Sequence, residues 1–569
     1  MLRQRFEQEA DALWTHLQRL GQQAPRLEGL YARDADPRVA RLVQSAAFAF
    51  SAASGQLEDD GQALVRPLVA RAMPELLRPR PSSTILQVAG VSGRAGSVQG
   101  ASFAARVGAV EVPFQVVWPA TLAPLALEDV RIDRLHAQLQ ILRFSLVGRN
   151  GVSAGNGLPD VLRFFLQLEP RSLALDVLHA LRSGEEPIVV KGLGPEGEVV
   201  HERKLGRDAF AWVRVDTQEP ALVSARADRF QSSTLLRDLF GFPESFCFFD
   251  LRLAECRGGK ATRFEISLPM GRVVDGASAL TVEHLQLFCA PATNQYVAPV
   301  EPVATGAASE CTVAVSRRPH AEVLEVRDLY TESVRDAGRR IPLRSWEAPE
   351  EPHTFGAAEA YYMLEQSDAS DGSHVETRAR FGTLARFPSP VGGVVRGEVL
   401  ATDGQLTATV GLGDVGSSRE GATNITRVTP ARRAPSGDNH AWRMSAYGRM
   451  PSYRLTRGGH LSEFVTLHDW FGVQEASVRF RPPRILGASH ALEHALADGV
   501  IAWGDVFTLD VDATGCGAGE LWLLGHLIHQ ALFERSERLR FSKLSLRRGG
   551  EPFADYAAHQ GARLPFPLG

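Results

Sequence analysis

The chain has 569 residues, of which 44% are hydrophobic and 22% charged. Its 62 Lys and Arg against 66 Asp and Glu leave a net charge of -4, which excludes the basic field that drives nucleic-acid binding. The apolar fraction excludes long disorder as the main state, and at ~150 residues per domain the length predicts three to four domains.

The first residues, MLRQRFEQEADALW, are polar and mixed in charge, so no secretory leader is expected. Phe6, Ala10, Leu13, Trp14, Leu17 and Leu20 recur at helical spacing and predict an amphipathic helix over 3–20. A second helix is expected over 36–54, with Asp36 as cap and Pro37 in the first turn, where a missing N–H costs nothing. Val39, Leu42, Val43, Ala46, Ala47 and Phe50 form its apolar stripe. A third helix, Gln62 to Arg71, ends before the proline-rich stretch MPELLRPRPSS. From Thr84 the pattern turns to period two. TILQVAGV, VEVPFQVVW and QILRFSLVG read as strands.

A helix is expected over Arg171 to Leu181, then strands at PIVVKGL, AWVRVDT and CFFDLRLAE. EVLEVRDLY is strand-like, and 395–412 reads as strand-rich. Residues 415–440 lack periodicity and read as a long loop. The last part holds strand VFTLDVD and helix GELWLLGHLIHQALF. The most apolar stretch, Val110 to Leu127, contains Pro113, Pro119 and Pro124, which would break a spanning helix. The five cysteines are widely spaced and odd in number, so a reducing compartment is expected and a disulfide framework is not. The fold class expected is multi-domain α+β: an N-terminal helical region (1–83), a β-rich central part (84–300), a second β-rich domain (301–425) and a C-terminal α+β domain (426–569).

Two stretches match GxGxxG: Gly192, Gly194, Gly197 and Gly411, Gly413, Gly416. Neither opens a helix, which a dinucleotide pyrophosphate needs, so both read as turns. His490, Glu493 and His494 form an HxxEH match. On a helix the two imidazoles would share a face and could hold zinc, with Glu493 as general base. A third ligand is required, and Glu520 or Glu534 could serve only by residue type. A surface turn-and-helix is the plainer reading. His526 and His529 follow Cys516 on a strongly apolar helix and read as core histidines. Arg427, Arg432 and Arg433 lie in the aperiodic loop without the aromatics that a single nucleic-acid strand would stack on. Leu235 to Asp250 carries Phe240, Phe242, Phe246, Phe248 and Phe249 around a break at Gly241–Pro243. It is either a dense core joint or an interface anchor, with core the default.

Asp36-Pro37-Arg38-Val39-Ala40-Arg41-Leu42, Met73 to Ser82, Leu162-Arg163-Phe164-Phe165-Leu166, Leu235 to Asp250, Phe288 to Asn294, His440-Ala441-Trp442-Arg443-Met444-Ser445 and 505–541 follow one another in a distinctive order. Together they resemble the TssF (VasA) family of type VI secretion baseplate components. The first looks like that family's DPxVxRL helix. The Phe-rich stretch, the most specific match, is similar to its LLxEYFxFPxKFxFFDL signature. Ser245 stands where the family has Lys, the Asn expected before Cys289 is absent, and AYGRMPSY (446–453) replaces the HLSLN run. These departures mark a divergent member.

The resemblance implies a structural wedge subunit. It would pair with a TssG-like protein and associate with a TssE-like sheath initiator, a TssK-like adaptor and the VgrG-like spike hub. Self-association within the wedge is implied too. It also implies no catalytic residue, cofactor or metal, no nucleic acid, and no membrane insertion. The location implied is cytoplasmic, docked at the inner membrane through the secretion complex. The family-motif positions that would serve as core or interface are Asp36, Pro37, Arg41, Leu42, Leu235, Phe240, Phe242, Pro243, Phe246, Phe248, Phe249, Asp250 and Trp442.

Overall fold

In the computed structural model the residues described are 2–23, 37–72, 79–88, 96–136, 139–223, 231–258, 261–304, 310–333, 340–345, 360–368, 374–383, 393–416, 421–432, 443, 446–447, 450–470, 472, 479–497, 500–536 and 540–557. Helix α1 (Leu2–Gln23) packs along α2 (Pro37–Ala72). The expected second and third helices are one continuous helix. Pro37 opens it, where the ring's fixed φ suits a first turn. Trp14 of α1 and Val43, Ala47 and Ser51 of α2 are buried.

The β-rich part follows in chain order: β1 (Ser83–Val88), β2 (Val110–Val116), β3 (Leu139–Gly148) and β4 (Val161–Leu166). Then come α3 (Arg171–Arg182), β5 (Ile188–Leu193), β6 (Val199–Leu205), α4 (Gln231–Gly241), β7 (Phe248–Arg252), β8 (Arg263–Pro269) and β9 (Cys289–Thr293). One five-stranded sheet runs β6-β5-β8-β3 and Leu125–His136. A four-stranded sheet runs Phe210–Trp212, β7, β4 and Leu285–Leu287. The AWVRVDT strand is cut short after Trp212, where the chain turns and Arg214 takes a φ of 70°.

A third sheet places β1 between β9 and Ala422–Asn424. Residues 421–432 are therefore not a free loop. They dock on β1, and Arg432 exchanges backbone hydrogen bonds with Arg80. An eight-stranded sheet holds β10 (Glu322–Ser333) beside β11 (Gly393–Thr402) and has its own core. After Thr402 the chain forms a 3-10 turn, Gly404–Thr409, in place of the further strand expected up to 412.

The C-terminal part contains α5 (His460–Asp469), β12 (Arg484–Ala497), β13 (Val500–Asp512), α6 (Ala518–Glu534), β14 (Phe541–Arg548) and β15 (Glu551–Tyr556). Its sheet runs β12-β13-β14-β15. Leu521, Leu524 and Leu527 of α6 share one apolar core with Phe507 and Leu509, with Leu175 and Leu178 of α3, and with Phe240 and Phe249. The fold is thus mixed α+β, with an N-terminal helical segment ahead of β-rich domains. Burial of apolar surface on this scale is the main favourable term holding it together.

Candidate functional site

The Phe-rich segment lies at the centre of the largest core. Leu236, Leu239 and Phe240 of α4 are buried, and Pro243 begins a 3-10 turn that turns the chain into β7. Phe240, Phe242, Phe246, Phe248 and Phe249 are each 0% exposed, so the whole segment is core within this chain. The register of β7 on β4 sets Phe249 opposite Phe164 and Phe248 opposite Phe165. The rings stack at 4.9 Å in the first pair and tilt at 4.8 Å in the second. Such pairs add about 0.5–1.5 kcal/mol each beyond area burial.

That same register sets Asp250 opposite Arg163. The guanidinium donates to both carboxylate oxygens, at 2.7 and 2.8 Å, and to Glu219 at 2.7 Å. Burial opposes the charge on Arg163, but the two carboxylates outweigh it and hold the group firmly protonated. A second buried cluster lies nearby. Arg214 donates to Asp238 at 2.5 Å and to Ser245 at 2.7 Å, and its guanidinium sits 4.6 Å over the Phe246 ring. Ser245 thus accepts from a buried arginine at the position where a Lys is expected. Sequence reading missed both clusters. For the Arg163 cluster the signal available was the charge set among Phe in LRFFL and FFDLR.

Where α6 crosses α3 the backbones touch. A Cβ on Gly519 would lie 2.1 Å from the Leu175 carbonyl oxygen. Asp176 of α3 accepts the Gly519 N–H and so caps α6 from another part of the chain. Glu520 accepts from Gly517 N–H at 3.3 Å. Burial raises the carboxyls of both Asp176 and Glu520, and burial together with Glu520 pushes the Cys516 thiol up to about 12. His179 stacks on Trp522, and burial, with Arg272 and Arg182 nearby, drives it down to about 3. His529 is buried with its Nε2 3.1 Å from the Ser542 carbonyl oxygen, and His526 is half-buried and stacks on Trp522.

His490, Glu493 and His494 lie on β12, not on a helix. Along a strand alternate residues face opposite ways, so Glu493 faces away from the two histidines. His490 Nε2 is 2.7 Å from Asp505 Oδ1, and the His494 ring lies tilted 5.6 Å from that of Trp503. Glu534 holds Ser232, and Glu520 sits at the start of α6, so neither completes a ligand set. Among the described residues no group of three or more His, Cys, Asp or Glu could hold a metal ion. Gly192 lies within β5, Gly194 and Gly197 lie in the β5–β6 hairpin turn, and Gly411, Gly413 and Gly416 lie in turns before Ala422–Asn424. Of the arginine trio, Arg427 is exposed, Arg432 is half-buried against Arg80, and Arg433 lies outside the described residues.

Pro37, Arg41 and Leu42 are exposed on the first turns of α2, with Leu42 70% accessible. Asp36 and Trp442 lie outside the described residues. No helix among the described residues is long and apolar enough to cross a membrane. The motif residues therefore divide between a closed aromatic core and an exposed helix start. Neither presents a nucleophile beside a base.

The solved type VI secretion TssK-TssF-TssG baseplate subcomplex contains a chain that is 18% identical to this one. The likeness covers 92% of this chain and 100% of that chain, with a TM-score of 0.74. A chain of the baseplate complex from the type VI secretion system, 19% identical, matches with a TM-score of 0.62 over 99% of this chain and 100% of that one. At these identities the likeness shows a shared fold. The curated type VI secretion system component TssF1 of Pseudomonas aeruginosa is 25% identical over 368 residues, 58% of this chain. That match takes in 56% of the relative's own length. The family model for "Type VI secretion system, TssF" matches residues 3–563, and the chain belongs to that family.

Proposed function

We propose that this chain is a structural wedge subunit of a type VI secretion baseplate. It would assemble with a TssG-like protein and a TssK-like adaptor and provide part of the platform on which tube and sheath are built. The observation that carries this reading is the family match over residues 3–563. The whole-chain likeness to a subunit of the TssK-TssF-TssG subcomplex supports it. A TssE-like sheath initiator, the VgrG-like spike hub and a second copy of this chain are the further partners we propose. The working location is the cytoplasm, docked at the inner membrane through the secretion complex. Four segments divide the labour in this reading: 1–83, 84–300, 301–425 and 426–569.

The reading is of a scaffold and not of an enzyme. The HxxEH hydrolase reading has lost its geometry, because its general base faces away from its two candidate ligands on a strand. Deleting the gene in its own host tests the role. Fluorescent sheath protein should stay diffuse and recover foci when the gene is returned. Normal sheath foci in the deletion strain would overturn it.

A further inference from the structure

The hairpin β12–β13 outruns the body of the protein. β14 pairs with β13 only from Gly504 to Val511, whereas β12 pairs with β13 out to Ala497 and Val500. Beyond Gly504 the hairpin is therefore a two-stranded arm. Such a ribbon is marginal in water unless one face is covered.

One face of this arm continues the core. Side chains alternate along a strand, so Ile501, Trp503, Asp505, Phe507, Leu509 and Val511 share a face. At the root that face is covered by helix. Phe507, Leu509 and Val511 are within 1% of full burial and share a core with the leucines of α6. Tyr453, on the helical turn Ser452–Leu455, lies 6.3 Å from His490 on the same face. The His490–Asp505 contact marks the edge of this cover. Past it, the same face shows Leu492, Trp503 and Ile501 at 50%, 56% and 64% exposure. The register places Leu492 against Asp505 and His494 against Trp503, so the apolar side chains are contiguous. Across the arm, the opposite face sets Glu493 against Gly504, a charge against a residue with no side chain.

We propose that this arm is a docking surface for an amphipathic α-helix of a partner subunit, laid across Leu492, Trp503 and Ile501. The inference rests on the wedge function proposed above. Continuity argues for a helix. The face is covered at Phe507 and at His490, where Tyr453 lies, and is bare from Leu492 outward, so a sheet face that is half-covered here lacks the rest of its second layer. A further helix extends that layer with the same ridge packing. Three large exposed side chains on a narrow ribbon offer an apolar surface on which the i, i+3, i+4 stripe of one helix can lie. Among the described exposed side chains of this face His494 is the one ionisable residue, so the partner stripe is apolar.

The test uses the full chain co-expressed with the TssG-like and TssK-like proteins of its own gene cluster. Trp503 is replaced by the photo-crosslinker p-benzoylphenylalanine, and crosslinked peptides are read by mass spectrometry. The expected result is attachment to one partner segment at residues three and four apart. Attachment at every second residue, attachment to the same arm of another copy, or no attachment within an assembled complex would overturn it. In parallel, the double variant Ile501→Ser, Trp503→Ser should melt with the wild type yet hold the partner at least ~10-fold more weakly. Equal retention would overturn the proposal while leaving the wedge function standing. If the wild-type chain forms no complex at all, both fall together.

Discussion

Asp176 and Gly519 lie 343 residues apart, yet the Asp176 carboxylate accepts the Gly519 backbone N–H at the first turn of α6. One acidic side chain of the central part thus supplies the N-terminal cap of a helix in the C-terminal part. The glycine is required, because any Cβ there would enter the Leu175 carbonyl. Gly519→Ala is expected to cost at least about 2 kcal/mol through overpacking against backbone. Denaturant unfolding of the purified chain checks this, and a variant as stable as the wild type would contradict the close crossing of α3 and α6.

The same junction sets a pH dependence. Burial raises the folded-state carboxyls of Asp176 and Glu520 above their unfolded values of about 4. A carboxyl with a raised folded value takes up its proton more readily in the native state. Each group therefore opposes folding above its folded value, and that penalty is relieved as pH falls toward the unfolded value. Asp176→Asn keeps an acceptor for the Gly519 N–H and removes the buried charge. Its melting temperature should exceed that of the wild type at pH 8, and the gap should close toward pH 4. A gap that widens on acidification would contradict this sign.

Arg163 is held by Asp250 and Glu219 between two sheet strands. Removing one partner of a buried ion pair leaves an uncompensated charge, so Asp250→Ala should cost about 3 kcal/mol. Replacing the Arg163 side chain by methionine together with Asp250→Ala should cost less than the sum of the two single changes. A double-mutant cycle in urea measures the coupling, and strict additivity would contradict it.

Phe248 and Phe249 belong to the core of this chain. Phe249→Ala should cost about 3–5 kcal/mol in the isolated protein, before any partner is added. Were the segment an interface anchor, the isolated chain would keep its stability and only assembly would suffer.

His490 pairs with Asp505, which is 2% exposed. His490→Ala should cost about 1 kcal/mol by removing the nearer of that carboxylate's two partners, with Arg540 left at 3.4 Å. Elemental analysis should find zinc below one-tenth of an equivalent in both wild type and variant. Stoichiometric zinc that disappears with the variant would restore the metal-site reading.

Much of this architecture is legible in the sequence because local and global preferences agree. The LLRDLFGFPESFCFFDL run states helix, break and strand in its own residues, and the structure places α4, a 3-10 turn and β7 there. Pro37 likewise marks the start of α2. HALEHALA misleads because Ala, Leu and Glu favour helix, while residue-for-residue pairing with β13 decides for strand. Residues 421–432 have no periodicity of their own, since their hydrogen bonds go to β1 and Arg80. The trans cap at Gly519 joins segments 343 residues apart, so no local pattern announces it.

Wedge assembly can be measured by co-expressing this chain with the TssG-like protein of its own cluster and weighing the purified material by native mass spectrometry. A stable complex containing both chains, one that survives gel filtration at physiological salt, is expected. A well-behaved monomer that leaves the TssG-like protein unbound would contradict it.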